Sequence, residues 1–357
     1  MNKGTSKYKA QYQAGDLIYR ATSLGSPGPG WLNASTTQNI FINSNLGKFL
    51  PKFSFWNTQI SNFTTTIQSI AYGNGTWLAG GAGGTLRTST NNAVTWNTQV
   101  ASFGTVTFYS VAYGNSTWVA GGGGGLLTIS TDALNWTLQN SNFGGNNINA
   151  VAYANGTWVA GGQGGALRTS TDTINWNTQT SNFGTTTILS VAYGNGIWVA
   201  GGAGGALRTS TDTINWNTQT SNFGTSSIVS VAYANGTWVA GGGSGGILRT
   251  STDTINWNTQ TSNFGTSTIY SVAYGNGIWV AGGGSGGILR TSTDTINWNT
   301  QTSNFGTSII YSVAYGNGTW VAVGDGGALR TLSLISPTYT LSPITSIPTG
   351  YTPWIKT

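Results

Sequence analysis

Residues 190–224 read SVAYGNGIWVAGGAGGALRTSTDTINWNTQTSNFG, and close copies of this stretch recur every 40 or 41 residues along most of the 357-residue chain. A fixed period of this length indicates that one supersecondary unit is repeated and that each copy buries its apolar surface against its neighbours. The number and arrangement of the copies therefore determine the fold.

One copy contains four short segments with strand character. In the stretch quoted above, residues 190–193 and 197–201 flank an Asn-Gly turn, which accepts positive φ and favours a tight hairpin. A glycine loop leads to the third segment, 206–210, and a polar turn leads to the fourth, 216–220. The sequence Ser-Asn-Phe-Gly then crosses to the next copy. Four antiparallel strands per copy are typical of a β-propeller blade, and we expect essentially no helix.

Three sets of aromatic residues count the copies, and each set has seven members. The second segments contain Trp77, Trp118, Trp158, Trp198, Trp238, Trp279 and Trp320. The fourth segments contain Trp56, Trp96, Trp136, Trp176, Trp216, Trp257 and Trp298. The crossings contain Phe63, Phe103, Phe143, Phe183, Phe223, Phe264 and Phe305.

The fourth segment is displaced from one end of the array to the other. Trp56 and Phe63 precede the first full copy, whereas the last copy, which begins at Ser312, has no such Trp after Arg330. A closed ring explains the displacement, because a strand from ahead of the first copy completes the last one and leaves no free edge. We therefore predict an all-β, seven-bladed β-propeller of four-stranded antiparallel blades, in which residues near 53–60 pair with the strand near 328–332.

The composition excludes most catalytic chemistry. The chain has no Cys and no His, and its seven acidic residues are all Asp, so thiol nucleophiles, imidazole bases, Cys/His zinc sites and disulfides are excluded. General acid–base chemistry would have to use Asp16, Asp325 or the five Asp residues that share one repeat position. We predict a protein that is not an enzyme and has no cofactor or metal. No apolar run of 18 residues occurs and residues 1–9 lack the apolar segment of a secretory signal, so we expect no membrane insertion.

The turn between the third and fourth segments carries a specific motif. It reads STDTINW at 170–176 and recurs at 210–216, 251–257 and 292–298, with the variants STDALNW at 130–136 and STNNAVTW at 89–96. The motif resembles the Asp box (BNR repeat), Ser-x-Asp-x-Gly-x-Thr-Trp, in a form that is mostly one residue shorter and lacks the Gly. The resemblance implies that Asp and Ser oxygens bind turn amides and that the Trp packs beneath the turn. The implied structural residues are Asp132, Asp172, Asp212, Asp253, Asp294, Trp96, Trp136, Trp176, Trp216, Trp257 and Trp298.

Known Asp-box propellers include sialidases, photosystem II assembly factors, sortilin-type receptors, and phage and bacterial surface proteins. Sialidase chemistry requires a Tyr–Glu nucleophile pair, and this chain has no Glu. The resemblance therefore extends to the binding and structural members of the family and not to its enzymes.

Every third segment except that of the second blade carries an arginine. The set comprises Arg87, Arg168, Arg208, Arg249, Arg290 and Arg330. Stacking on a repeated Trp, with the Asp residues of the turns as candidate ion-pair partners, would give the set a structural role. The alternative is an anion-binding ring in a central channel.

The segments that follow the crossings differ from copy to copy. They read TTTIL at 185–189, TSSIV at 225–229, TSTIY at 266–270 and TSIIY at 307–311. Together with the glycine loops, these segments are predicted to lie on the face of the ring where propellers usually bind. Neutral drift in a surface loop would also explain their differences.

The ends of the chain follow no repeat. Residues 1–52 carry six basic residues, among them Lys3, Lys7, Lys9 and Arg20, against Asp16 alone, and the rest of the chain is nearly neutral. We interpret residues 1–39 as an extended anchoring arm, 40–332 as the propeller and 333–357 as an extended tail. The stretch AGDLIY at 14–19 resembles segments of phage tail-fibre and other virion proteins.

These features predict a structural or binding protein of a phage particle, as a tail, fibre or capsid-surface component. Its arm would bind other virion proteins, and its ring would serve assembly or attachment to a host-surface glycan or protein. The alternatives are a cellular scaffold similar to the photosystem II assembly factors and a lectin-like glycan binder, extracellular or at the cell surface. Nucleic acid is not an expected partner.

Overall fold

The computed structural model describes residues 17–21, 31–33, 56–99, 103–333 and 351–356. The chain divides into two compact units, Ser54–Leu334 and a smaller unit made of Met1–Phe53 and Ile335–Thr357. All the repeats belong to the larger unit.

The larger unit is a seven-bladed β-propeller of four-stranded antiparallel blades, which confirms the predicted fold. The innermost strands are Ile67–Gly73, Phe108–Gly114, Ile148–Ala154, Ile188–Gly194, Ile228–Ala234, Ile269–Gly275 and Ile310–Gly316. The second strands are Thr76–Gly81, Thr117–Gly122, Thr157–Gly162, Ile197–Gly202, Thr237–Gly242, Ile278–Gly283 and Thr319–Gly324. The third strands are Leu86–Ser89, Leu127–Ser130, Leu167–Ser170, Leu207–Ser210, Ile247–Ser251, Ile288–Ser292 and Leu329–Ser333. The outermost strands are Asn97–Gln99, Thr137–Gln139, Asn177–Thr178, Asn217–Gln219, Asn258–Gln260, Asn299–Gln301 and, for blade seven, Asn57–Thr58.

Helical structure within the described ranges is limited to single 3-10 turns that follow four of the second strands. These turns are Gly123–Gly125, Gln163–Gly165, Ala203–Gly205 and Asp325–Gly327. The innermost strands of successive blades lie side by side around the axis, and that of blade seven lies beside that of blade one.

The ring closes where the sequence predicts. Asn57–Thr58 pairs antiparallel with Leu329–Ser333, with Asn57 opposite Thr331 and Thr58 opposite Arg330. The backbone N–H of Gln59 extends the pairing by donating to the Leu329 carbonyl at 3.1 Å. The outer edge of blade seven is therefore covered by a strand from the other end of the array.

Tryptophans of the second strands fill the blades. Each is buried, with at most 2% of its surface exposed. Each also contacts the Tyr opposite it on the innermost strand, at 4.8–5.2 Å between ring centroids. The repeated Tyr is therefore part of the packing between strands, which explains why it recurs in every copy.

Glycine in the second strand makes room for the next blade. A Cβ on Gly121 would lie 2.6 Å from the Ile148 side chain. Blade seven has Val323 at this position, and this side chain is fully buried in a cluster with Ile67 and Ile70 of blade one. The boundary at which the ring closes thus contains an additional apolar side chain.

Serine hydroxyls link the innermost strands of neighbouring blades. A bulge shifts the register of the first strand between Ile67 and Ser69, and the Val111 N–H of the next blade donates to Ser69 Oγ at 3.0 Å. The same bond crosses the closing boundary, where the Ile70 N–H donates to Ser312 Oγ at 3.3 Å. These bonds satisfy backbone groups that have no partner strand on the channel side.

The smaller unit contains a three-stranded antiparallel sheet built from both ends of the chain. Leu17–Ala21 and Trp31–Asn33 each pair with Tyr351–Lys356, which is the central strand. Arg20 lies in the first of these strands, whereas Lys3, Lys7 and Lys9 lie outside the described residues. The boundaries at residues 39 and 332 and the anchoring role of residues 1–39 stay predictions.

We predict that ring stability depends on Trp56 and the strand that follows it. A chain that begins at Ser54 retains the closing strand, whereas one that begins at Ser61 loses it together with a Trp that is 2% exposed. Loss of a buried Trp costs roughly 3–5 kcal/mol, so the shorter chain should melt several degrees lower and associate through its open edge. Thermal unfolding by circular dichroism and gel filtration test this. Equal melting temperatures for the two chains would contradict it.

Candidate functional site

The strand order gives the ring two different faces. Because the strands of a blade alternate in direction, the crossings and glycine loops lie at one end of each blade, which we call the entrance face. The Asn-Gly turns and the Ser-x-Asp turns lie at the other end, the turn face. Backbone bonds join the parts of the entrance face: the Ala82 N–H donates to the Thr66 carbonyl at 2.9 Å, and the Gln163 N–H donates to the Asn147 carbonyl at 2.9 Å.

The Ser-x-Asp turns form closed hydrogen-bond networks. Asp172 Oδ1 accepts from the backbone N–H groups of Ile174 and Asn175 at 2.9 and 2.8 Å and from Ser170 Oγ at 3.0 Å. Its Oδ2 accepts from the Asn175 side chain at 2.7 Å. The Trp176 indole lies beneath the turn and donates to the Thr173 carbonyl at 2.9 Å.

The same geometry recurs at the other predicted turn residues. These residues are Asp132 with Trp136, Asp212 with Trp216, Asp253 with Trp257, and Asp294 with Trp298. In blade one, Asn91 takes the place of the Asp, and Trp96 donates to the Ala93 carbonyl. Hydrogen bonds from the turn amides lower the pKa of each of these Asp carboxyls well below its ordinary value.

The arginines of the third strands stack on Phe, so the predicted partner Trp is wrong. The guanidinium of Arg168 lies 5.0 Å from the ring centroid of Phe143. Its Nε and Nη2 donate to the Asn142 carbonyl at 2.9 and 2.6 Å, and its Nη1 donates to the Leu167 carbonyl at 2.9 Å. The Phe belongs to the crossing segment, which lies against the third strand of the blade that it enters.

This stacking on a crossing Phe is shared by the whole arginine set. The other members are Arg87, Arg208, Arg249, Arg290 and Arg330, at 4.9–5.5 Å from their rings. The set lies on the third strands, with two strands between it and the axis. Anion binding by these arginines stays a prediction.

Residues that differ between copies surround the axis on the entrance face. The bulge of each innermost strand contains one extra residue, and this residue varies from blade to blade. The seven residues are Gln68, Tyr109, Asn149, Leu189, Val229, Tyr270 and Tyr311. Tyr270 and Tyr311 contact each other across the boundary between blades six and seven, with ring centroids 5.1 Å apart and planes inclined by 62°.

Asp325 lies beside this tyrosine pair. It is the first residue of the glycine loop of blade seven, a position occupied elsewhere by Ala, Gly or Gln. Its Oδ2 accepts from the Ile309 N–H at 3.2 Å, and its Oδ1 accepts from Thr66 Oγ1 at 3.3 Å. Burial together with the nearby charge of Asp325 raises the pKa of the Tyr311 phenol.

This cluster is not predictable from the sequence. In the repeat pattern Asp325 is one of several acidic residues, and the two tyrosines are members of the variable segments. One signal was present in the sequence, because Asp325 is the only charged residue at its position in the seven glycine loops. Which residues surround it depends on contacts between blades seven, six and one.

The described residues contain no group of three or more metal-ligating acidic, His or Cys side chains. None of their helices is long and apolar enough to cross a membrane.

No protein-family model matches the chain, and no curated protein sequence matches it. Many solved structures share its fold. They include YCF48 from Cyanidioschyzon merolae, which is 17% identical, with a TM-score of 0.63 over 78% of this chain and 98% of that one. YCF48 bound to D1 peptide is 16% identical, with a TM-score of 0.65 over 79% and 97%. A catalytically inactive virginiamycin B lyase from Staphylococcus aureus with quinupristin is 9% identical, with a TM-score of 0.72 over 80% and 100%. At these identities the likeness shows the propeller fold alone.

We predict that the turn carboxylates contribute to stability in a pH-dependent way. Because their folded-state pKa lies below the unfolded value of about 4, their contribution is complete above roughly pH 5 and is lost as the pH falls towards the folded-state pKa. Replacing all five turn Asp residues by Asn, the residue at position 91, should flatten the decline of melting temperature between about pH 5 and 2.5. The control is Asp325→Asn, which leaves the turns intact. Parallel declines for the wild type and the fivefold variant would contradict the assignment.

Proposed function

We propose that this chain is a non-enzymatic binding protein that holds a peptide segment of a protein partner at its entrance face, as an assembly factor or scaffold does. One observation carries the proposal. Blades three to six share the identical sequence STDTINWNTQTSNFG through their turns, outer strands and crossings, whereas the bulge residue at the axis is Asn149, Leu189, Val229 and Tyr270 in turn. Residues that vary at the axis, on blades that are otherwise repeated, fit a surface that recognises a partner without repeat symmetry.

The chemistry of the entrance also favours a peptide. Residues on one arc, from blade six to blade three, are aromatic or polar, and those of blades four and five are aliphatic. A peptide carries side chains that suit the polar and aromatic arc and side chains that suit the aliphatic one. Its backbone N–H and C=O groups also suit hydrogen bonding with the backbone of the glycine loops. The propeller structure of YCF48 bound to D1 peptide supports this use of the fold.

We expect a crosslinker at the entrance face to capture the partner. A photoreactive amino acid is placed at Tyr109 or Val229, and matched controls carry it at Ile214 or Ile296 on the turn face, which are each 59% exposed. In extracts of the source organism, both entrance positions should crosslink the same protein, and the turn positions should not. Synthetic peptides that cover the crosslinked segment are then titrated against the purified chain by calorimetry.

Two outcomes would contradict the proposal. Equal capture of the same protein from the turn positions would place the binding surface elsewhere. Binding of glycans on an array, with no peptide bound at the entrance, would favour the lectin-like alternative.

A second candidate is the virion component that the N-terminal sequence predicts. The described strands of the two ends form a sheet in the smaller unit, and such a unit suits attachment to a particle. Under this proposal, deleting residues 1–39 should abolish incorporation into phage particles while the ring still folds. Unchanged incorporation, measured by mass spectrometry of purified particles, would refute it.

A further inference from the structure

We propose that Tyr270, Tyr311 and Asp325 form a subsite for one cationic side chain, Lys or Arg, of the bound peptide. This inference rests on the proposed peptide binding and names the group that the entrance face recognises. The three residues come from blades six and seven and meet at the boundary between them.

The aromatic part of the subsite is suited to a cation. In an edge-to-face pair, the edge of one ring lies against one face of the other. The remaining ring faces are not covered by the pair itself. Both tyrosines are only partly buried, and both lie at the bulges of the innermost strands, at the entrance-face end of the blades. An ammonium or guanidinium group within about 6 Å of such a ring is attracted by its quadrupole.

The carboxylate supplies the charge. Among the residues that the structure describes, Asp325 is the only acidic one outside the Ser-x-Asp turns, and those turns lie on the opposite face. Its hydrogen-bond partners in that part of the chain are neutral: the Ile309 N–H and the Thr66 hydroxyl. These bonds orient the carboxylate without neutralising it, and a carboxylate has about four acceptor positions. A cation is therefore the complementary ligand.

The raised pKa of Tyr311 is consistent with this arrangement. The phenol stays protonated at neutral pH and therefore adds no second negative charge beside Asp325. A glycan hydroxyl is a weaker partner than an ammonium or guanidinium group, because it donates to the carboxylate but carries no positive charge of its own.

The repeats provide variants that the fold already accepts. Asp325→Ala makes the loop of blade seven read Ala-Gly-Gly-Ala, as residues 203–206 do in blade four. Tyr270→Val reproduces the sequence Ile-Val-Ser of blade five, and Tyr311→Leu reproduces Ile-Leu-Ser of blade four. Asp172→Asn is the matched control, because it removes one carboxylate from a turn on the opposite face and reproduces the Asn at position 91 of blade one.

The test uses the full chain labelled with 3-fluorotyrosine and observed by 19F NMR. The probe is the peptide N-acetyl-Gly-Lys-Gly-amide, and its counterpart with an acetylated Lys lacks the charge. The signals of Tyr270 and Tyr311, assigned from the two variants, should shift on titration with the Lys probe and not with the acetylated one. Asp325→Ala should weaken binding about 5- to 30-fold, Asp172→Asn should leave it unchanged, and added salt should weaken it.

The outcomes separate this inference from the proposed function. If the crosslinked partner peptide binds the entrance with equal affinity in the wild type and in Asp325→Ala, peptide binding stands and the cation subsite is wrong. If the acetylated probe shifts the two tyrosines as strongly as the charged one, the subsite is also wrong. If no peptide binds the entrance in any variant, the proposed function itself fails.

Discussion

The pairing of Asn57–Thr58 with the third strand of blade seven is the contact on which the ring depends. Without it, the outer edge of the last blade would be unpaired. The segment that leads into the first repeat would then have no hydrogen-bonded connection to the last one. Two further contacts strengthen the same boundary: Val323, at a position where the other blades have Gly, packs with Ile67 and Ile70, and Ser312 accepts a hydrogen bond from the Ile70 N–H. The boundary nevertheless lacks one element of the repeat. Trp56 has no Ser-x-Asp turn above it, and the described residues offer no acceptor to its buried indole nitrogen.

The repeat separates structural from recognitional residues. In the turns, one carboxylate satisfies several backbone N–H groups and fixes the entry of the fourth-strand Trp, so the same sequence suits every blade. At Thr173 the turn also holds a β-branched residue at φ 65°, where the longer Asp box has Gly. At the axis, by contrast, the bulge frees one residue per blade from pairing. That position holds Gln, Asn, Leu, Val or Tyr because the residue lies outside the strand pairing.

Part of the candidate site was predictable from the sequence, and part was not. Antiparallel alternation places the crossings and glycine loops at one end of the blade, so the location of the variable segments followed from strand order alone. The aromatic partner of the arginines could not be predicted from strand order. Alternation along a strand does not indicate which aromatic residue of a crossing segment packs against that strand. The cluster of Asp325 with Tyr270 and Tyr311 was also out of reach, since it joins residues of different repeats.

The sequence by itself determined the number of blades, the order of their strands and the way in which the ring closes. It could do so because the pattern of apolar and turn residues that forms one blade is local in sequence and is repeated for seven blades. Only the tertiary structure decided which side chains meet across blade boundaries, including the stacking of Arg on Phe and the single carboxylate beside two tyrosines. Those contacts depend on the twist of each blade and its angle to the next, which arise from packing of the whole ring and have no counterpart in a linear pattern.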